Sequence, residues 1–417
     1  MLLLKIGITT YIYLIKLNQF CHFLFFLYFC IINQVKHYSI MKKYFKLLFA
    51  LFIVSFIFNN SYAQRKTVGH YTFRDKSVYY GELVNGKPYG KGKTIFPTND
   101  VYEGEYVKGK RDGFGIYTFT DGERYEGNWT NDHQNGQGTY YFANNNKYVG
   151  LWYIDYQHGQ GTMYYYNGDM YIGNWERDVR SGSGKYIWSN GAIYEGEWKN
   201  DRKNGHGIIN WNDGNRYDGA WVDDKRQGKG TYYYSNGDQY SGDWRNDMTN
   251  GQGIYTFANG DRYEGGYLNG ERHGQGIFTY ADRRKYVGEF RNGKMSGRGI
   301  YSWPDGSRYE GMWNDDKYNG RGIYISSEGD KYDGDWQNGL MNGNGVITMH
   351  DGARFKGTFK NGLKNGEAIE VNSEGIRFEG TYVNDVRDGE FVEKDKNGKV
   401  IKKGIYRNGR IESMTNY

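Results

Sequence analysis

The sequence predicts an all-β protein: an elongated, twisted, single-layer antiparallel ribbon of stacked β-hairpins. The first observation is a 23-residue repeat, in which an aromatic residue followed two places later by glycine recurs fourteen times, from Tyr79 to Phe378. A fixed period in this range indicates an array of stacked units. The second is the alternation of aromatic and polar residues within each unit, which indicates half-buried strands. The third is that no helical period occurs after residue 63.

The chain begins with an apolar leader. Residues 41–63 combine a basic head, an apolar run and small residues at the end, which is the pattern of a secretory signal peptide. Cleavage near Ala63 would make the mature protein secreted or periplasmic. Residues 1–40 are also apolar and are interpreted as an over-extended amino terminus. The alternative is a membrane anchor in this amino-terminal segment, although its apolar runs are shorter than the roughly 20 residues that a spanning helix needs.

The composition of the mature part disfavours several functions. Removing residues 1–63 takes away six lysines and no acidic residue, so the 54 basic and 48 acidic residues become 48 of each. A neutral chain gives no electrostatic reason to expect nucleic acid or anionic lipid as a partner. Both cysteines, Cys21 and Cys30, lie in the leader. The mature protein would therefore contain no disulfide and no thiol nucleophile.

The repeat frame divides the rest of the chain into an array with two caps. Residues 64–78 are an amino-terminal half-repeat, because Tyr71 and Phe73 keep the phase of the array. Fourteen repeats follow over residues 79–400, and residues 401–417 are predicted to form a carboxy-terminal half-repeat. Divergent terminal units are expected of caps.

Each unit is numbered here from its first aromatic residue, position 0. We expect a short strand over positions 0–5, a loop near positions 6–10 and a second strand over positions 11–17. Directly opposed residues of an antiparallel pair share a face, so only a three-residue loop at positions 18–20 keeps every aromatic residue on one side. Its usual form is a type I turn followed by a left-handed residue. Pro304-Asp305-Gly306 has the preferred sequence for this turn.

This register pairs position 15 with position 0 of the next unit, position 13 with position 2, and position 11 with position 4. Positions 2 and 11 are glycine in all fourteen units, and position 4 is aromatic in all but the first. Each large ring would then face a glycine, and the glycines are interpreted as sockets for these rings. The structural glycines chosen on this basis are Gly104, Gly113, Gly127, Gly136, Gly196, Gly205, Gly219 and Gly228.

The tryptophans provide the candidate binding face. Eight of the eleven lie at position 4, and the other three lie at position 17. A single sheet cannot bury its whole aromatic face alone. The rings therefore pack on one another as the core of the ribbon, or form a platform for a protein strand, a second ribbon or a sugar. The candidate partner or ligand face consists of Trp129, Trp152, Trp175, Trp198, Trp221, Trp244, Trp313 and Trp336.

The array contains no pattern typical of a catalytic or metal site. A catalytic group should break the repeat, and deviant segments such as 155–158 are interpreted as loop variants. His133, His158, His206 and His273 fall in separate units without the spacing of metal ligands. We therefore expect no enzyme activity, no cofactor and no metal.

Units such as the one over residues 263–276, with sequence YEGGYLNGERHGQG, resemble MORN (membrane occupation and recognition nexus) repeats. The resemblance covers residues 69 to about 409. It implies a stack of hairpins used for scaffolding, dimerisation and positioning, and phospholipid binding is also ascribed to the family. MORN arrays precede lipid kinase or methyltransferase domains in some relatives, and we expect no such domain here.

Three hypotheses follow for the function. The leading one is a non-enzymatic scaffold that binds a protein partner or forms a homodimer. The second is peripheral binding of membrane phospholipid, including phosphoinositide, through the aromatic groove. The third is recognition of a glycan by the tryptophan row.

Overall fold

The computed structural model describes Lys46 and residues 66–417; the rest of the predicted signal peptide and the segment before it lie outside the described residues. Residues 66–417 contain no helix. Among the described residues, no helix has the length and hydrophobicity needed to cross a bilayer. The strands are β1 (Lys66–Thr72), β2 (Val78–Val84), β3 (Lys87–Ile95), β4 (Val101–Val107), β5 (Lys110–Thr118), β6 (Arg124–Thr130), β7 (His133–Tyr141), β8 (Lys147–Tyr153), β9 (Tyr156–Tyr164), β10 (Met170–Glu176), β11 (Val179–Ile187), β12 (Ile193–Lys199), β13 (Arg202–Asn210), β14 (Arg216–Val222), β15 (Lys225–Tyr233), β16 (Gln239–Arg245), β17 (Met248–Thr256), β18 (Arg262–Leu268), β19 (Glu271–Thr279), β20 (Lys285–Arg291), β21 (Lys294–Ser302), β22 (Arg308–Asn314), β23 (Lys317–Ile325), β24 (Lys331–Gln337), β25 (Leu340–Thr348), β26 (Arg354–Lys360), β27 (Leu363–Val371), β28 (Arg377–Val383), β29 (Val386–Lys394), β30 (Val400–Arg407) and β31 (Arg410–Asn416).

These 31 strands form one antiparallel sheet in which every strand pairs with its neighbours in sequence. The sheet does not close, because among the described strands β1 pairs only with β2 and β31 only with β30. At roughly 4.8 Å between strands, the ribbon extends on the order of 140 Å before its twist shortens it. The predicted all-β, single-layer hairpin array is confirmed.

The predicted register between units is confirmed. Along the pair of β5 and β6, Gly113 lies opposite Trp129 and Tyr117 lies opposite Tyr125. The turn that joins these strands spans positions 18–20, as predicted. The N–H of Gly122 donates to the carbonyl of Phe119 at 3.2 Å, and Gly122 has φ 93°. This is the left-handed third residue that the odd-numbered loop requires.

The turn within each unit is shorter than predicted. The expected loop over positions 6–10 contracts to two residues, and the second strand starts at position 8. In the third unit, for example, Asn131 and Asp132 both have positive φ, of 51° and 74°, as a type I′ turn requires. The loop prediction was wrong because a bulge interrupts the alternation: Trp129 pairs with Gln134, whereas Gly127 pairs with Gly138.

The bulge explains the glycine at position 11, and the socket interpretation of that position is wrong. Gly113, Gly136, Gly205 and Gly228 have φ between 76° and 106°, a range that disfavours residues with a Cβ. A Cβ on Gly205 would meet the side chain of position 3 and no tryptophan. Glycine is therefore required at position 11 by backbone conformation.

The socket glycines are those at positions 2 and 13, and the ring that they accommodate is the tyrosine at position 0. A Cβ on Gly127 would lie 2.5 Å from the Cα of Gly138 and 2.6 Å from the hydroxyl of Tyr125. The same close approach is found at the other predicted glycines of position 2, which are Gly104, Gly196 and Gly219.

The carboxy-terminal segment holds a whole hairpin where a half-repeat was expected. β30 pairs with β29 and also with β31. Tyr406 lies opposite Gly389, one residue out of phase with the array, and an irregularity between Glu393 and Lys394 absorbs the displacement. The residues of β31 are exposed throughout.

Candidate interaction groove

The tyrosines at position 0 form the innermost row of the aromatic face. From Tyr79 to Tyr309 they have no exposed surface. Each hydroxyl donates to the carbonyl oxygen of position 3, as in Tyr194 to Glu197 at 3.0 Å. Burial raises the pKa of Tyr79 and of Tyr263 to about 12. These groups are neutral, hydrogen-bonded parts of the core.

The eight predicted tryptophans lie beside this tyrosine row. Seven of them are 3–6% exposed, and Trp336 is half-buried. Trp221 makes edge-to-face contacts with Tyr194 and Tyr217, at centroid distances of 5.7 and 5.2 Å. Its Nε1–H donates to the carbonyl of Gly207 at 3.0 Å. The tryptophan row therefore forms the floor of the groove and offers little surface to a ligand.

A second set of rings, at positions 15 and 17, is more accessible. Neighbouring rings lie 4.5–5.0 Å apart within a unit, as in Tyr117–Phe119 and Tyr186–Trp188. Most of these rings are half-buried, and we call the row the aromatic ladder. It consists of Tyr71, Phe73, Phe96, Tyr117, Phe119, Tyr140, Phe142, Tyr165, Tyr186, Trp188, Trp211, Tyr232, Tyr234, Tyr255, Phe257, Phe278, Tyr280, Tyr301, Trp303 and Tyr324.

The aromatic ladder was not among the predicted site residues. Its signal was present in the sequence, because positions 15 and 17 carry rings in most units until Ser326. What the sequence did not reveal was burial: the tyrosines at position 0 cover both sides of the position 4 tryptophans and leave the ladder as the exposed part of the face.

A row of cations at position 9, here called the cation row, faces the tryptophans. The Cζ atoms of Arg180 and Arg226, and the Nζ atom of Lys203, each lie 4.3 Å from the ring centroid of the tryptophan in the next unit. Burial lowers the pKa of Lys203. The row was missed because position 9 had been placed in a loop. It comprises Arg111, Arg180, Lys203, Arg226, Arg272, Lys364 and Arg387.

Aspartates at position 7 hold the cation row in place. The backbone N–H of Arg180 donates to the carboxylate of Asp201 at 3.0 Å, and its Nε donates to the same oxygen at 2.9 Å. Its Nη2 donates to the carbonyl of Asp201 at 2.8 Å. Arg111 and Asp132 repeat the arrangement three units earlier. In each of the eight units with aspartate at position 7, the turn of the hairpin is thus fastened to the strand of the preceding one.

The groove between the cation row and the aromatic ladder is continuous over several units. Between Arg111 and Asp201 its volume is ≈ 1050 Å³. In this stretch position 9 carries Gln134 and Gln157, both buried, in place of cations. The groove thus combines aromatic carbon with regularly spaced polar groups.

The opposite face of the sheet carries exposed ion pairs. Arg216 contacts Asp218 at 2.6 Å, and Lys229 contacts Asp243 at 2.7 Å. Exposed pairs of this kind contribute little stability. Of the four histidines considered above, His206 lies 3.0 Å from Asp218. The part of the chain that the structure describes contains no cluster of three or more potential metal ligands.

The fold defines a repeat protein in which each unit contacts only its neighbours. The family model for the MORN repeat matches thirteen segments, so the chain belongs to the MORN-repeat family. The unit at residues 378–400 has no match but keeps the same pairing in β28 and β29. The matched residues are 79–101, 102–124, 125–147, 148–170, 171–193, 194–216, 217–239, 240–262, 263–283, 286–308, 309–331, 332–354 and 355–375.

Other comparisons find only distant similarity. No curated protein sequence matches the chain. The TCP10 domain of Danio rerio CPAP is 13% identical, with 53% of this chain and 99% of that chain covered and a TM-score of 0.29. The same domain in complex with a peptide of Danio rerio STIL is 14% identical, with 54% and 96% covered and a TM-score of 0.26. TM-scores this low do not indicate a common overall fold.

Proposed function

We propose that this protein is a non-enzymatic scaffold that binds a protein partner along the groove between the aromatic ladder and the cation row. The supporting observation is the ladder itself, a long row of mostly half-buried rings. Large apolar surfaces rimmed by polar groups mark interaction sites. Tyr, Trp and Arg are also the residues that contribute most to protein interfaces.

The repetition supports a role in binding over one in catalysis. Catalysis needs groups of different acidity gathered at one place. Along this groove the same groups recur from unit to unit. Where burial shifts the pKa of tyrosines such as Tyr79, it shifts it upward, so the hydroxyls stay protonated at neutral pH.

A protein partner is favoured over phospholipid and glycan. Anionic headgroups need free cations, whereas the guanidinium of Arg180 is already paired with Asp201 at 2.9 Å. A sugar needs an open ring face, whereas Trp198 and Trp221 are 6% and 3% exposed. We further propose that the mature protein acts outside the cytoplasm after cleavage near Ala63, as the composition of residues 41–63 supports.

Site-specific photo-crosslinking tests this proposal. A benzophenone amino acid is placed at Phe142 in the aromatic ladder, or at the exposed Val149 on the opposite face as the matched control. We expect a discrete protein adduct in the producing cells from the first position and none from the second. An adduct of twice the mass would identify a second copy as the partner. Adducts of equal yield at both positions, a lipid or glycan adduct, or no adduct would contradict the proposal.

A further inference from the structure

Three tryptophans of the aromatic ladder carry unused hydrogen-bond donors. Among the described residues, seven of the eight indoles at position 4 donate to a backbone carbonyl, as Trp198 donates to Gly184 at 3.1 Å. The indoles of Trp188, Trp211 and Trp303 at position 17 make no hydrogen bond to any described residue and are half-buried. Their N–H groups can therefore donate to an acceptor of a bound partner.

Trp188 and Trp211 belong to consecutive units, so their indoles are two strands apart, or about 9.6 Å along the ribbon. They frame a break in the ladder. Most neighbouring units are joined by a ring contact, such as Tyr165–Tyr186 at 5.9 Å and Trp211–Tyr232 at 5.5 Å. No such contact joins Trp188 to Trp211, because position 15 between them is Ile209, which is 4% exposed. The side chain beneath the gap between the two indoles is therefore aliphatic.

The spacing of these donors matches one type of backbone. A polyproline II helix advances about 9.3 Å per three-residue turn, and its carbonyls have no partner within the helix. Every third carbonyl then faces the same side at nearly the spacing of the two indoles. An α-helix already uses its carbonyls internally, and an extended strand repeats at about 6.8 Å, which does not match. Aromatic-lined grooves are also the surfaces on which proline-rich segments dock.

We propose that Trp188 and Trp211 bind a proline-rich segment of the protein partner in the polyproline II conformation. This inference rests on the proposed function. The two Nε1–H groups donate to backbone carbonyls three residues apart, and a pyrrolidine ring packs between the two half-buried indole rings. The groove thereby selects the partner by backbone conformation, and the 23-residue repeat sets the spacing.

Fluorescence polarisation with a labelled ten-residue proline peptide tests the assignment on the whole processed chain. A glycine–serine peptide of equal length is the control ligand. We expect binding of the proline peptide only. Trp188→Phe and Trp211→Phe keep an aromatic ring but remove the donor, and each should weaken binding about 3- to 10-fold, which is the effect of one hydrogen bond.

Trp303→Phe is the matched control variant, because it removes the same donor at a site without a second indole one unit away. We expect it to change the affinity less than twofold. Phenylalanine occurs at position 17 in Phe119 and Phe142, so these substitutions are compatible with the fold. Equal binding of the two peptides, or unchanged affinity in both Trp188→Phe and Trp211→Phe, would overturn the inference. Continued crosslinking from Phe142 in that case would leave the proposed scaffold function standing.

Discussion

At the scale of the residue, the tyrosine at position 0 and the glycine at position 13 depend on each other. The tyrosine hydroxyl fills the space that a Cβ at position 13 would occupy. Two units depart from glycine at position 13, with Ala368 and Phe391. In both, position 0 is phenylalanine, Phe355 and Phe378, which has no hydroxyl. Where the hydroxyl is absent, a side chain is tolerated.

This dependence predicts a strong coupling between Tyr194 and Gly207. Gly207→Ala should destabilise the protein by about 1–3 kcal/mol, because the new methyl group overlaps the tyrosine ring. In a Tyr194→Phe background the same substitution should cost at least ~1 kcal/mol less. Urea unfolding of the four proteins of this double-mutant cycle measures both costs. Equal costs in the two backgrounds would show that the hydroxyl does not exclude the methyl group.

The buried tyrosines also predict how stability depends on pH. The pKa of Tyr79 and of Tyr263 rises from 10.0 in the exposed residue to about 12 in the folded protein. A group with a raised folded pKa contributes stability that is complete below pH 10.0 and is lost as the pH rises through its folded pKa. Alkaline unfolding should therefore coincide with the late, cooperative step of tyrosinate absorbance that comes from the buried tyrosines. Tyrosinate formation near pH 10.0 from these residues while the circular dichroism stays native would contradict this expectation.

At the scale of the element, the aspartate found at position 7 in eight units fastens its hairpin to the preceding one. The alternation of side chains along each strand correctly predicted which residues share a face of the sheet, the register between units and the three-residue turn. It failed at positions 8–10, because a bulge removes the alternation on which the reasoning depended. The cation row and its aspartates lay in that misassigned segment. Backbone conformation at Gly136, with φ 96°, is likewise invisible to a pattern of polar and apolar residues.

Substitutions at Asp201 isolate the contribution of one such fastening. Its φ is 64°, so Asn and Gly are both compatible with the backbone. Asp201→Asn keeps an acceptor for the backbone N–H of Arg180, whereas Asp201→Gly removes it. We expect the glycine variant to be about 1–2 kcal/mol less stable than the asparagine variant in urea unfolding. Equal stability of the two would show that the aspartate does not hold the hairpins together.

At the scale of the whole molecule, the number of 23-residue units sets the length of the ribbon. Adding or removing one whole unit leaves the contacts within the other units unchanged. The sequence predicted this architecture because the period was uninterrupted. It did not predict which part of the aromatic face remains exposed, since that depends on how position 0 packs against position 4 in three dimensions. Trp175 at 5% exposure and the half-buried Phe142 could not be distinguished by residue type alone.

Deletions test whether the array is modular. Removing residues 194–216 joins Ile193 to Tyr217 and leaves every remaining pairing in register. We expect this variant to fold and to be shorter, with a radius of gyration in small-angle scattering well above the about 20 Å of a compact protein of this size. Removing only residues 194–205 should abolish cooperative folding, because it joins two incompatible half-units. Similar stability of the two deletions, or a compact particle, would contradict the modular ribbon.

The pairing of every strand with its sequence neighbours also governs how the chain acquires its structure. No described hairpin pairs with a segment distant in sequence, so the contacts are local and the loops that must close are short. A chain that emerges from one end, at a ribosome or a membrane pore, can complete each hairpin and add it to the previous one before the next is released. The order of synthesis is then the order of folding, and an interrupted chain is a shorter ribbon whose last strand is an exposed edge.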